Sequence, residues 1–223
     1  IVRLVGDFSI LTYDKRGHGL SDAGTHPYSI DDHIVDLEGL LDHLDVKDAI
    51  VCGLSVGGLI AQGLHKKRSD LVKALILCDT GLKIGTEALW NARIEAALGE
   101  GVEPMANAIL ERWFGEAFRS ETNDDFSGYR NMLVRTPPVG YAGTCAAIRD
   151  ADFTDHAANI DVPTLCVVGS EDKSTPPELV ADMAKAIPGA RYQIIKDAGH
   201  LPCVEKPEVL TEIIKAFVVG FVD

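Results

Sequence analysis

Ala49-Ile50-Val51-Cys52-Gly53-Leu54-Ser55-Val56-Gly57-Gly58-Leu59-Ile60-Ala61-Gln62 is the stretch whose reading decides the fold. An apolar, strand-like run, Ala49 to Cys52, leads into Gly53-x-Ser55-x-Gly57. A helix-like stretch, Leu59 to Gln62, follows at once. A chain that turns from strand into helix within a few residues holds the residue between them on a sharp, strained bend, with its side chain exposed. A side chain at Gly53 or Gly57 is expected to crowd the strand or the helix that meet there. G-x-S-x-G alone is a weak signal. Its weight comes from the strand before it, the helix after it and two further residues downstream.

The first is Asp172, in Val167-Val168-Gly169-Ser170-Glu171-Asp172; the second is His200, in Asp197-Ala198-Gly199-His200. Each follows an apolar run. A serine hydroxyl is a poor nucleophile until a base takes its proton. His200 has the chemistry of that base, and a carboxylate on its other ring nitrogen fixes tautomer and orientation. Glu171 is adjacent to Asp172, and Asp79 also follows a strand-like run, so Asp79 remains a second candidate for the acid. The backbone N–H of Val56 is the expected oxyanion donor, because it directly follows the nucleophile. A second donor normally comes from a loop after an earlier strand. No strand with such a loop precedes Phe8, so that piece is expected to be absent from these residues.

Other strand-like runs are Phe8 to Tyr13, Ala74 to Cys78, Thr164 to Val168 and Tyr192 to Ile195. Most are apolar on both faces, as a parallel sheet buried between helices requires. Helical patterns separate them. Residues 31–45 set Ile34, Leu37, Leu40, Leu41 and Leu44 on one face, and Ser29-x-x-Asp32 reads as its capping box. Thr175-Pro176-Pro177-Glu178 is a helix start, and Pro207 opens a last amphipathic helix. This alternation predicts an α/β architecture with right-handed crossovers. Residues 83–150 break it. They hold Trp90 and Trp113 and read as several helices without a strand between them. The expected division is a core of residues 1–82 and 151–223 with a helical cap at 83–150, inserted before the acid-bearing strand.

The chain has 223 residues, of which 46% are hydrophobic and 25% charged, as in ordinary globular proteins. Its 34 acidic residues against 21 basic ones give a formal charge of −13. That balance disfavours nucleic acid and anionic membranes as partners. It also means that an anionic substrate must be held by local cations. No apolar run reaches the roughly 18 residues of a membrane-spanning helix, and the first residues lack a signal-peptide pattern. Five cysteines, an odd number without C-x-x-C, predict a reduced, cytoplasmic protein without a metal site.

Tyr13-Asp14-Lys15-Arg16-Gly17-His18-Gly19-Leu20-Ser21, the Gly53–Gln62 stretch and Ala198-Gly199-His200 resemble the α/β-hydrolase superfamily. Gly140-Tyr141-Ala142-Gly143-Thr144-Cys145-Ala146-Ala147-Ile148-Arg149-Asp150-Ala151-Asp152 and Leu89-Trp90-Asn91-Ala92-Arg93-Ile94 resemble, within it, the 3-oxoadipate enol-lactonase family. The resemblance covers essentially the whole chain. Members of that family begin earlier, so these residues are expected to lack two or three strands and the loop carrying the second oxyanion donor. The resemblance implies hydrolysis of 3-oxoadipate enol-lactone by Ser55, His200 and Asp172, with no cofactor or metal. It implies a small anionic lactone as substrate, with Trp90, Arg93 and Arg149 in its binding site. Other ester or C–C bond hydrolases on the same scaffold are the alternatives, along with a non-catalytic binding protein built on it. A haloalkane dehalogenase would carry aspartate in place of Ser55.

Overall fold

The computed structural model describes residues 2–120 and 122–220. Four parallel strands form one sheet in the order β1 (Ala49–Leu54), β2 (Val72–Cys78), β3 (Thr164–Gly169), β4 (Arg191–Ile195). The register runs Leu54↔Cys78, Cys78↔Val167 and Gly169↔Ile195. The carboxyl ends of all four strands therefore lie along one edge, where open α/β sheets build their sites.

Alternation along β2 and β3 fills two cores. Leu75, Leu77, Cys166 and Val168 point to the side of α2 (Val56–Lys67) and meet its Leu59, Ile60 and Leu64. Ala74, Ile76, Leu165 and Val167 point the other way, toward Leu210, Ile214 and Phe217 of α9 (Pro207–Val218). Both inner strands are thus covered on both faces, which is why they read as unbroken apolar runs.

The helical signals fall where the sequence puts them. Ser29 and Asp32 form a reciprocal capping box at the start of α1 (Ile30–His43), worth about 1 kcal/mol at such a position. Of its expected apolar face, Ile34, Leu37 and Leu41 are buried. Leu44 falls beyond the last turn and is 48% exposed. Pro177 is the first residue of α7 (Pro177–Ala186), which follows β3. Between β2 and β3 the chain forms α3 (Glu87–Glu100), α4 (Ala106–Trp113), α5 (Asp124–Val134) and α6 (Pro138–Asp150) with no strand among the described residues. The short α8 (Pro202–Glu205) precedes α9.

One expected strand does not form. Residues 8–13 have no regular structure and pair with no strand among the described residues. They line, together with residues 49–52 of β1, a groove of about 840 Å³. A strand exists through its ladder of hydrogen bonds, and residues 8–13 share this groove with β1 without forming one. Ile10, Leu11 and Tyr13 are consequently exposed.

Candidate active site

Ser55 sits between β1 and α2 with φ 56° and ψ −119°, a region that non-glycine residues avoid. Its N–H donates to Cys78 O (2.9 Å) and its carbonyl accepts from Gly58 N (2.9 Å) and from Thr80 Oγ1 (2.7 Å). The bend is thereby clamped from β2. The glycine requirement differs from the sequence expectation at one of its two positions. A Cβ at Gly53 would lie 2.1 Å from Gly57 O, so Gly53 is needed. A Cβ at Gly57 would meet nothing within 4 Å, whereas one at Gly58 would lie 2.4 Å from the Thr80 side chain. The crowded neighbour is a threonine beyond β2, which no local pattern reveals. Val56 opens α2, where the first-turn N–H groups have no intrahelical acceptor and the helix dipole favours negative charge.

Asp172 lies on the loop after β3 and His200 on the loop after β4; each is 3% exposed. His200 Nδ1 and Asp172 Oδ2 are 2.8 Å apart. Asp172 Oδ1 accepts from the N–H groups of Ser174 (2.7 Å) and Thr175 (3.1 Å), and Oδ2 accepts from Thr175 Oγ1 (2.7 Å). Burial pushes this carboxyl up, but the hydrogen bond from His200, its charge and the Thr175 donors outweigh it and leave Asp172 below its ordinary pKa. A buried carboxylate that accepts this many donors is a fixed anion. Thr175 was legible only as part of a helix start; the signal for its second role is Asp172-x-x-Thr175 before a proline, a local turn.

The His200 loop is tied to the helical segment. His200 N donates to Trp113 O (2.8 Å), and the two rings stack with centroids 6.5 Å apart. Glu205 accepts from Gly199 N (2.8 Å) and Gly115 N (3.0 Å). Neither Ser55 Oγ nor His200 Nε2 hydrogen-bonds to another described residue. Donor atoms of Asp79, Asp172 and His200 lie within 4.8 Å of one another, a spacing that also suits a small cation. The Nδ1–Oδ2 separation of 2.8 Å is that of a charge-assisted hydrogen bond with its proton in place.

The substrate-binding candidates separate. The Arg93 guanidinium lies 5.1 Å over the Trp90 ring, beside Tyr141 and Cys145 of α6, and forms no ion pair among the described residues. Trp90 itself is buried, its Nε1 donating to Ile84 O (2.6 Å). Arg149 turns to other partners: both Asp150 oxygens (2.7 Å each) and Asn91 Oδ1 (2.7 Å). A further basic residue, which the sequence shows only within the Tyr13–Ser21 stretch, approaches α6. Lys15 Nζ contacts Thr144 Oγ1 of α6 (2.9 Å) and His18 Nδ1 (2.6 Å), and burial holds it down to about 7. Its neighbour Arg16 instead forks onto Asp36 of α1 at 2.6 and 2.7 Å.

Residues 2–207 match the model of the α/β hydrolase fold family. Two 3-oxoadipate enol-lactonases of Acinetobacter baylyi are 30% and 32% identical over 96% and 98% of this chain and 80% and 81% of their own length. The solved enol-lactonase of Burkholderia xenovorans LB400 is 35% identical, with a TM-score of 0.94 over 98% of this chain and 84% of that one. A thermophilic esterase from Thermogutta terrifontis, solved with malate bound, is 31% identical, with a TM-score of 0.88 over 93% of this chain and 78% of its own. With its serine on a strained strand-to-helix turn and its matched residues spanning all four described strands, the chain belongs to the α/β-hydrolase fold family.

Proposed function

We propose that the chain is a carboxylic-ester hydrolase that opens 3-oxoadipate enol-lactone to 3-oxoadipate. The observation that carries this reading is the buried Asp172–His200 pair at 2.8 Å, on the same sheet edge as a serine held at φ 56°. In the mechanism, His200 Nε2 takes the Ser55 proton as Oγ attacks the lactone carbonyl. Asp172 stabilises the imidazolium that forms. The Val56 N–H donates to the oxyanion; one such donor is worth about a hundred- to a thousand-fold in rate. The ring C–O bond then breaks, and the departing enol oxygen takes the proton back from His200. An enol oxygen leaves more readily than an alkoxide. Water, deprotonated by His200, hydrolyses the acyl-enzyme and frees Ser55.

Substrate choice rests on the helical segment 83–150, read as a cap over the strand ends. Arg93, stacked on Trp90 and in no ion pair among the described residues, is the cation available to the substrate carboxylate. The similarity to enol-lactonases supports this substrate and with it a cytoplasmic role in breaking down aromatic compounds. The likeness to an esterase supports a second reading, cleavage of an open-chain ester by the same residues. The deciding experiment compares kcat/KM for the enol-lactone, simple lactones and aryl esters. Preference for an aryl ester by a hundredfold overturns the lactone reading, and failure of a serine-directed phosphonate to label Ser55 overturns both.

A further inference from the structure

Glu205 ends α8, five residues after His200. Pro202 starts that single helical turn directly behind the histidine, so the chain folds back and brings the Glu205 carboxylate to the loop it has just left. Its Oε1 accepts from the N–H of Gly199 (2.8 Å), the residue before His200, and its Oε2 accepts from the N–H of Gly115 (3.0 Å), just beyond α4. Two residues before Gly115, Trp113 O accepts from His200 N (2.8 Å). These three hydrogen bonds and the short backbone runs Trp113–Gly115 and Gly199–His200 close a ring. The His200 loop and the end of α4 hold each other through it, with the Trp113 ring stacked on the imidazole. No side chain fits inside the ring. A Cβ at Gly199 would lie 2.6 Å from Trp113 O, 2.9 Å from Gly115 N and 3.0 Å from Glu205 Oε1. One at Gly115 would lie 2.6 Å from Glu171 Oε2 and 3.1 Å from Glu205 Oε2. Both glycines are buried, and a buried N–H without an acceptor is costly. A carboxylate offers two acceptor oxygens on one rigid group, which an amide does not.

We propose that Glu205 is a positioning residue for His200, a two-pronged carboxylate that fixes the histidine's loop against the end of α4. The proposal rests on His200 as the base and deepens that reading. Asp172 orients the imidazole through Nδ1; Glu205 sets where the backbone of the histidine stands. Both Glu205 oxygens are engaged by backbone N–H groups, so its loss acts on geometry and not on the charge that the imidazole meets. One prong ends on the helical segment, so the docking of that segment enters the placement of the base.

The test is Glu205→Ala and Glu205→Gln, assayed on p-nitrophenyl acetate so that the lactone assignment plays no part. Glu205→Ala is expected to lose on the order of a hundredfold in kcat, the cost of misplacing a reacting group by about 1 Å, with KM nearly unchanged. Glu205→Gln keeps one acceptor for the two N–H groups and should fall between Glu205→Ala and the native enzyme. Gly115→Ala, 90 residues away along the chain, should lower kcat in the native background and add little in Glu205→Ala, where the carboxylate it displaces is already gone. A native kcat in folded Glu205→Ala, a loss confined to KM, or independent factors for Gly115→Ala and Glu205→Ala overturns the proposal. If Glu205→Ala does not fold, Glu205→Gln decides by the same split between kcat and KM. A second readout needs no activity: the low-field Nδ1 proton of His200 in ¹⁵N-labelled protein, recorded well below the melting temperature. It should be sharp in the native protein and broadened by exchange with water in the Glu205 variants. A role in fold stability alone would lower the melting temperature and leave the signal sharp, which overturns the proposal. Broadening in the variants of a protein inactive on every ester would instead overturn the proposed function.

Discussion

Two buried ionisable groups sit in contrasting surroundings. At the carboxyl edge of the sheet Asp79 is a buried acid pushed up to about 9, close to other acids. Beneath α6 Lys15 is a buried base held down to about 7, close to His18 and Thr144 and in no ion pair among the described residues. The first lies in a region where Asp172 has every oxygen satisfied. Around the second, both ring nitrogens of His33 and the hydroxyl of Tyr28 find no hydrogen-bond partner among the described residues. The surroundings of Asp172 are therefore preorganised, with their hydrogen bonds formed during folding, while Asp79 Oδ2 beside them has no partner among the described residues. The region under α6 holds unsatisfied polar atoms beside Lys15, and the Arg93 guanidinium approaches the same cysteine, Cys145, from α3.

The largest effect expected from breaking this contrast is at the sheet edge. Ser55→Ala should lower kcat on the order of a million-fold, as removal of a triad nucleophile does elsewhere. Wild-type turnover in a homogeneous sample of that variant would remove Ser55 from the chemistry.

The region under α6 comes next. Arg93→Ala should weaken kcat/KM for the anionic lactone by roughly 2–5 kcal/mol, as when one partner of a close charge pair is lost, and change a neutral aryl ester far less. Arg149→Ala, whose guanidinium is already engaged by Asp150 and Asn91, should leave the ratio between the two substrates unchanged. A substrate-selective loss in Arg149→Ala and none in Arg93→Ala would move the carboxylate site to the outer partner.

A third pair tests the bend. Gly53→Ala, whose Cβ would lie 2.1 Å from Gly57 O, should destabilise by roughly 1–3 kcal/mol through backbone displacement, read by thermal melting. Gly57→Ala has open space and should fall within about 0.5 kcal/mol of wild type. Equal effects would mean that the bend is not held by the approach of β1 to α2.

The smallest effects are slopes of stability with pH, and the two regions give opposite signs. Asp79 in the folded protein keeps its proton up to about 9, while the unfolded carboxyl releases it near 4. The folded state binds the extra proton between those values, so stability falls as pH rises through them. Lys15 releases its proton near 7 when folded and near 10.4 when unfolded. The unfolded state binds the extra proton there, so stability rises with pH from about 7 to 10. Each slope is at most about 1.4 kcal/mol per pH unit. Urea titrations should show the falling slope removed by Asp79→Asn and the rising one by Lys15→Met. A variant that leaves its slope unchanged shows that its residue is not the titrating group.

Much of the sheet edge was legible because its signals are local. A strand, a G-x-S-x-G bend and a helix occupy fourteen consecutive residues, and backbone sterics make that run specific. The capping box at Ser29 and the proline starts at Pro177 and Pro207 are equally local. The apolar runs of β2 and β3 announced strands covered on both faces. By itself, then, the sequence determined the α/β architecture and the serine on its strand-to-helix bend, and it singled out Asp172 and His200 as that serine's proposed partners. Tertiary structure decided everything that depends on who stands opposite whom. Residues 8–13 have a strand's composition, yet pairing is a property of two segments and theirs is missing among the described residues. Gly58 rather than Gly57 is crowded because Thr80 arrives from β2. Thr175 becomes a ligand of Asp172 through its turn, and Asp79 becomes a neutral acid through burial beside another carboxyl. Arg93 and Arg149 look alike along the chain, and the fold gives one an aromatic face and the other a carboxylate. Burial, electrostatic shifts and ion pairing are set by neighbours distant in sequence, so no local pattern encodes them.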